Sequence, residues 1–165
     1  MFTEVRFLRM WPRSPLWRYW APPVIWAGAI MALSGDLGAG PHTYSMFSWA
    51  LSLIVTLPSK TVGVLHTYFR KSLHVICYGI LAVLWFRALM ASRPRRLWAN
   101  YFLALGLCLM VSLIDEGHQY LLTSRTGNLG DVGLDMSGAV IFTLITALFL
   151  KSRSPAPAAA RPPDS

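Results

Sequence analysis

The chain has 165 residues, of which 55% are hydrophobic and only 13% charged, against roughly a quarter charged in a soluble domain. That length allows one domain, and the polar segments are too short for a separate soluble catalytic domain, so any chemistry sits on membrane helices or the loops between them. The formal charge of +8 comes from Lys and Arg flanking apolar spans, which marks orientation in a bilayer and not a nucleic-acid surface; the expected partner is lipid, with no nucleic acid.

Met1 to Tyr19 is basic and aromatic, with Arg6, Arg9, Arg13 and Arg18, and Pro12 and Pro15 argue against one long helix there. The first apolar span is predicted over Trp20–Gly35, with Pro22 and Pro23 in its first turn, where a missing N–H costs little. A basic start, an apolar middle and Ala32-Leu33-Ser34 also resemble a cleavable signal; the long, proline-bearing basic region favours an uncleaved span. Asp36 to Thr43 is a turn-rich loop. Tyr44 to Leu57 is short for a crossing, and Ser45, Ser48, Ser52 and Thr56 recur in one helical stripe, which predicts an interfacial amphipathic helix closed by Pro58.

The second crossing is predicted from Ser72 to Met90, followed by the basic turn Arg93-Pro94-Arg95-Arg96. The third runs from Leu97 to Ile114 without a charge, and the fourth from Val132 to Leu150. The Ala/Pro-rich residues 151–165 read as a disordered tail. Cys77 and Cys108 fall in apolar stretches without CxxC spacing and read as packing residues; a disulfide between them stays open.

The fold class is therefore an all-α membrane protein, a bundle of four transmembrane helices plus a short interfacial amphipathic helix. Residues 1–19 form a basic cytoplasmic segment, 20–150 the transmembrane domain and 151–165 a cytoplasmic tail. Four crossings put Arg6, Arg9, Arg13, Arg18, Arg87, Arg93, Arg95, Arg96, Lys151, Arg153 and Arg161 on one side, and Lys60, Arg70, Lys71 and Arg125 on the other. Eleven against four makes both termini cytoplasmic. A fifth crossing by Tyr44–Leu57 would put Arg93–Arg96 outside, against that rule.

Asp115, Glu116, Asp131 and Asp135 lie within twenty-one residues. In antiparallel spans they fall at one membrane boundary, outside the cytoplasm, with Arg70, Lys71, His74, His118, Gln119 and Arg125. Arg70, Lys71, His74 and Tyr78 share one helical face. Asp115, His118 and Gln119 share another if span three runs one turn past the membrane, and Asp131, Asp135 and Gly138 a third. Three polar faces at one level predict a pocket between helices. Arg70 and Lys71 would stand at a helix N-terminus and Asp115 and Glu116 at a C-terminus, each the unfavourable end by about 0.3–1 kcal/mol. Pairing between them across spans two and three is the simplest compensation.

The run Asp115-Glu116-Gly117-His118-Gln119, then Arg125, Asp131, Asp135 and Gly138, resembles the signature of the VanZ-like family. Arg70-Lys71, His74 and Tyr78, followed by Leu81 and Arg87, is similar to that family's earlier motif. The likeness covers residues 20 to 150. It implies a multi-pass protein of the bacterial inner membrane and cell envelope, in a family whose namesake is associated with resistance to the glycopeptide antibiotic teicoplanin. Two positions depart from the pattern: Asp135 stands where the family often has Asn, and Phe142 where a second small residue often follows Gly138, which predicts a looser helix crossing there.

Taken singly, each polar residue has a bland role: Glu116 and Gln119 in end-capping, His118 exposed on a loop, His74 in an interhelical hydrogen bond. Clustered acids and bases at a membrane boundary point to function. The favoured reading is a binding module, in which Arg70, Lys71, His74, Asp115, Glu116, Gln119, Arg125, Asp131 and Asp135 take an anionic envelope ligand such as a lipid-linked phosphate, a glycan precursor or a glycopeptide. The alternative is a membrane-embedded hydrolase or transferase, with Glu116 or Asp131 as general base and His118 or His74 as acid. A third reading is a scaffold protein that reaches partners through the Tyr44–Leu57 helix. No cofactor is expected. A divalent cation on Asp115, Asp131 and His118 is conceivable, but no dedicated metal-ligand spacing is present, and neither are GxSxG, HExxH or a P-loop. The absence of a charge at mid-span and of an inverted repeat speaks against a transporter.

Overall fold

A computed structural model describes residues 15–35, 40–121 and 128–152. Most of the basic start, part of the Asp36–Thr43 loop, Arg125 and nearly all of the Ala/Pro-rich tail lie outside the described residues. Those described form five helices and no strand: α1 (Trp17–Ser34), α2 (Gly40–Ser52), α3 (Ser59–Ser92), α4 (Leu97–Leu121) and α5 (Leu129–Ser152). Three of these, α3, α4 and α5, are each long and apolar enough to cross a membrane, so the chain is a multi-pass membrane protein.

α3 is the hub, touching every other helix and packing most extensively on α5. Its residues Tyr78, Leu81, Ala82, Trp85, Phe86, Leu89 and Met90 are buried around much of its circumference. They meet Tyr101, Ala104 and Cys108 of α4 and Ala139 and Ala147 of α5. Ile25, Phe102 and Ile145 stay exposed, as expected where lipid replaces water and the hydrophobic effect no longer draws helices together. Packing by small residues takes over that task. A Cβ at Gly138 would collide with the backbone carbonyl of Val75, and one at Gly79 would stand 2.7 Å from the Phe142 ring. Phe142 therefore does not loosen the crossing: the small residue it needs is supplied by the opposite helix, as Gly79.

Three expected boundaries move. α1 starts at Trp17, which puts Pro22 and Pro23 in its second turn, inside the helix. α2 spans Gly40–Ser52 in place of Tyr44–Leu57. Its serine hydroxyls turn back on their own helix: Ser45 donates to His42, Ser48 to Ser45 and Ser52 to Trp49, each to the carbonyl three residues earlier. The largest shift is in α3, which begins at Ser59, so Arg70 and Lys71 lie twelve and thirteen residues into a continuous helix and not at its N-terminus. The extra length is where α2 docks. His66 is buried against Tyr44 and Phe47, with its Nε2 3.1 Å from Thr43 Oγ1.

α1 runs antiparallel to α3. Trp20 donates to Ser92 Oγ (3.0 Å), Trp26 to the Cys77 carbonyl (3.0 Å), and Ser34 Oγ accepts from Gln119 (2.6 Å). At the Ser92 end, cations sit over aromatic rings: Arg87 over Tyr19, Arg18 over Trp17 and Lys151 over Trp98. Cys77 and Cys108 are free thiols, and Cys108 is buried with Sγ 3.6 Å from the Tyr78 carbonyl.

The glycine contacts give opposite signs for one substitution. Gly138→Ala forces the α3–α5 backbones apart and is expected to cost about 1–3 kcal/mol. Gly106→Ala, with open space around it, is expected to be neutral or to gain up to about 1 kcal/mol. Thermal unfolding in detergent checks both; equal effects would contradict the close crossing.

Candidate functional site

The close α3–α5 crossing sets what lies beside it. Val75 follows His74 in the chain, and Gly138 stands one turn after Asp135, so the same contact seats Asp135 of α5 against His74 of α3. Their Nδ1 and Oδ1 are 2.9 Å apart, the one ion pair among the described residues. The other oxygen of Asp135 accepts a short hydrogen bond, 2.6 Å, from Ser112 of α4. Asp135 is fully buried, so both oxygens being engaged is what makes the position tolerable.

A second network lies beside it on α4. Asp115 Oδ2 accepts from the Tyr78 hydroxyl and from Gln119, both at 3.2 Å, and Gln119 reaches on to Ser34 of α1. Side chains of α1, α3, α4 and α5 thus meet in one polar region. Glu116, on the next position of α4, turns toward α5. Its Oε2 accepts the Asn128 backbone N–H at 2.7 Å, while Asn128 Oδ1 caps α5 through the Gly130 N–H at 2.9 Å. Glu116 therefore faces a helix N-terminus, the end that favours anions.

These contacts replace the pairing expected from the sequence. Arg70 and Lys71 make no ion pair with Asp115 or Glu116 among the described residues; the acids are held instead by a phenol, an amide, a hydroxyl and a backbone N–H. Arg70 is half-buried near Gly40 at the start of α2, and Lys71 is exposed. α4 does continue past Ile114, to Leu121, which brings in Asp115, Glu116 and Gln119 but leaves His118 exposed. Asp131 is half-buried in the first turn of α5, outside the group, and Arg125 lies outside the described residues. The site therefore unites His74, Asp115, Glu116, Gln119 and Asp135.

Sequence reasoning missed Ser112, Ser34 and Asn128. Ser112 had a signal, since it stands one turn before Asp115 and Glu116 on the same face. Ser34 had none, because its partner is eighty-five residues away.

Two chemical properties follow. The Ser112 hydroxyl bonds the carboxylate and not the imidazole, so the trio is not arranged as a Ser-His-Asp nucleophile. Glu116 is 5% exposed, yet its Oε1 has no hydrogen-bond partner among the described residues, and neither has the buried Oδ1 of Asp115. Donor atoms of His74, Glu116 and Asp135 lie within 4.8 Å of one another, the one group of such residues with metal-ligand spacing among those described. The set Asp115, Asp131 and His118, conceivable from the sequence, is not assembled.

A family model described as VanZ/LLP1 matches residues 12–150. No curated protein and no solved structure matches the chain.

If Asp135 binds His74 and Ser112 as one unit, the effects of removing either side will not add. His74→Ala and Asp135→Ala are each expected to destabilise by about 1–3 kcal/mol, and the double variant by clearly less than the sum. Detergent melts of the four proteins measure this; strict additivity would contradict the contact.

Proposed function

Since the chain belongs to the VanZ/LLP1 family, we propose that it is a four-crossing protein of the bacterial inner membrane, with both termini cytoplasmic, that binds an anionic envelope ligand at a polar pocket on the outer side. The observation that carries this reading is the His74–Asp135–Ser112 chain with the unpartnered Glu116 oxygen beside it, buried where three helices converge. Fixed polar groups with spare valence are costly in a bundle that needs them only for support.

Depth supports the placement. Counting about 1.5 Å per residue, His74, Ser112 and Asp135 stand about 22–27 Å from the Arg93–Arg96 end of their helices. With that basic, ring-covered end at the cytoplasmic boundary, the cluster falls near the far face of a hydrocarbon core of about 30 Å. α1 is about 27 Å long, and its contacts with Ser92, Cys77 and Gln119 follow the bundle from one end to the other, which favours a fourth crossing. α2, docked beyond the cluster on the first third of α3, suits the outer interface.

The ligand chemistry comes from two layers. The floor is acidic, with Asp115, Glu116 and Asp135. One turn outward on α3 stand Arg70 and Lys71, four and three residues before His74 and on its face; Arg125 belongs to the same side by sequence. A phosphate-bearing or zwitterionic headgroup satisfies both layers, its anion at the rim and its hydroxyl or amine at the floor. A lipid-linked phosphate, a glycan precursor and a glycopeptide all share this chemistry. A second reading, a hydrolase or transferase on such a ligand, is favoured by the orientation of His74: a carboxylate on Nδ1 leaves Nε2 available for proton transfer.

Native mass spectrometry of the purified protein tests the binding reading. The wild type is expected to carry a phosphate-bearing lipid. Lys71→Ala and Arg125→Ala should each lose most of it, and Arg93→Ala, at the opposite end, should keep it. Equal lipid on all four proteins would contradict a ligand held by the outer bases.

A further inference from the structure

We propose that His74, Glu116 and Asp135 bind a divalent transition-metal ion of the Mn2+ or Zn2+ class. The inference deepens the reading of this pocket as a binding site and assigns its floor, whichever headgroup occupies the rim.

The first support is spacing. The three donors come from three helices, yet their ligand atoms lie within 4.8 Å of one another. His74 Nδ1 and Asp135 Oδ1 are 2.9 Å apart, close to the edge of a coordination polyhedron whose metal–ligand bonds are about 2.0–2.2 Å. These two atoms can therefore ligate together almost where they stand, the ion taking the place of the proton shared in their hydrogen bond, which is released to solvent.

The second support is how the carboxylates are held. Each candidate ligand already has its other oxygen fixed by a protein donor: Ser112 Oγ on Asp135 Oδ2, and the Asn128 N–H on Glu116 Oε2. Outer contacts of this kind orient metal ligands. The oxygen of Glu116 that remains, Oε1, is buried without a partner, although Glu116 as a whole is 95% buried by its 5% exposure. An unsatisfied carboxylate oxygen in a low-dielectric site calls for a cation or a donor that the described residues do not supply.

The third support is charge. Asp115, Glu116 and Asp135 are all buried and face one histidine, with no Lys or Arg paired to them among the described residues. A divalent ion offsets the surplus. One imidazole nitrogen with two carboxylate oxygens suits Mn2+, Fe2+ or Zn2+ better than Ca2+ or Mg2+, which prefer oxygen alone. Three protein ligands leave coordination positions open toward the rim, where a phosphate oxygen of the bound headgroup can complete the shell.

The test is titration of the purified full-length protein with Mn2+, following free-ion signal by electron paramagnetic resonance, with Zn2+ as competitor. One Mn2+ per chain is expected, displaced by Zn2+. Glu116→Gln, which keeps its shape and an acceptor for Asn128, should weaken binding at least tenfold. Ser112→Ala, which removes the hydroxyl that holds Asp135 Oδ2 but no ligand atom, should weaken it by about 10- to 100-fold through loss of orientation. His42→Ala, at an exposed position of α2, should bind as the wild type does. No uptake by the wild type, or equal affinity in Glu116→Gln, overturns the proposal. If phosphate-bearing lipid is retained while Mn2+ is not, the metal site falls and the ligand reading stands. If Mn2+ is taken up by a protein that carries no lipid, the metal site stands and the ligand reading falls.

Discussion

The backbone contact between α3 and α5 is the constraint on which the other features rest. Gly138 lies against the Val75 carbonyl, and Gly79 lies under the Phe142 ring. Both glycines are one turn or less from a polar residue of the cluster: Gly138 follows Asp135 by three positions, and Gly79 follows Tyr78 by one. Lipid tails are as apolar as the side chains they cover, so helix association in a membrane depends on close packing and on interhelical hydrogen bonds worth about 0.6 kcal/mol on average. Three or four such bonds are too weak to hold the bundle alone. The packing sets the helix positions, and the polar groups take the geometry it imposes.

That order explains why the buried acids tolerate their surroundings. A carboxylate removed from water loses several kcal/mol of solvation unless donors replace it. Asp135 has Ser112 and His74, Asp115 has Tyr78 and Gln119, and Glu116 has the start of α5. None of these donors is a Lys or an Arg. Arg87 and Lys151 sit over aromatic rings at the other end of the bundle. The arrangement leaves a buried acidic cluster in which Glu116 Oε1 and Asp115 Oδ1 have no partner among the described residues, with Arg70 and Lys71 one turn before His74 on α3.

Much of this was legible from residue order. The start of α4 at Leu97 follows from an uninterrupted apolar run after a basic, proline-bearing turn, and the grouping of His74, Asp115, Glu116, Gln119 and Asp135 follows from helical spacing in antiparallel spans. Where the reading failed, local signals were mistaken for boundaries. Arg70-Lys71 looks like the edge of a span, yet a helix can carry charges beyond the hydrocarbon core without ending, and α3 begins eleven residues before Arg70. The macrodipole argument for Arg70 and Lys71 fell with that boundary. Phe142 predicts a looser crossing when read on its own helix alone; Gly79 on the partner makes the room. Ser34 joined the site through a contact between distant stretches, which periodicity cannot reveal.

The α3–α5 register can be measured by cross-linking. The Cβ of residue 142 is bonded to the ring carbon that stands 2.7 Å from a Cβ at position 79. Cysteines at the two positions therefore fall near the Cβ–Cβ range of about 3.5–4.5 Å that a disulfide requires. In a Cys77→Ala, Cys108→Ala background, Gly79→Cys with Phe142→Cys should oxidise readily to an intrachain disulfide in native membranes. Gly79→Cys with Val140→Cys, on the exposed side of α5, should not. Cross-linking of the second pair in preference to the first would place Asp135 away from His74 and contradict the account at its base.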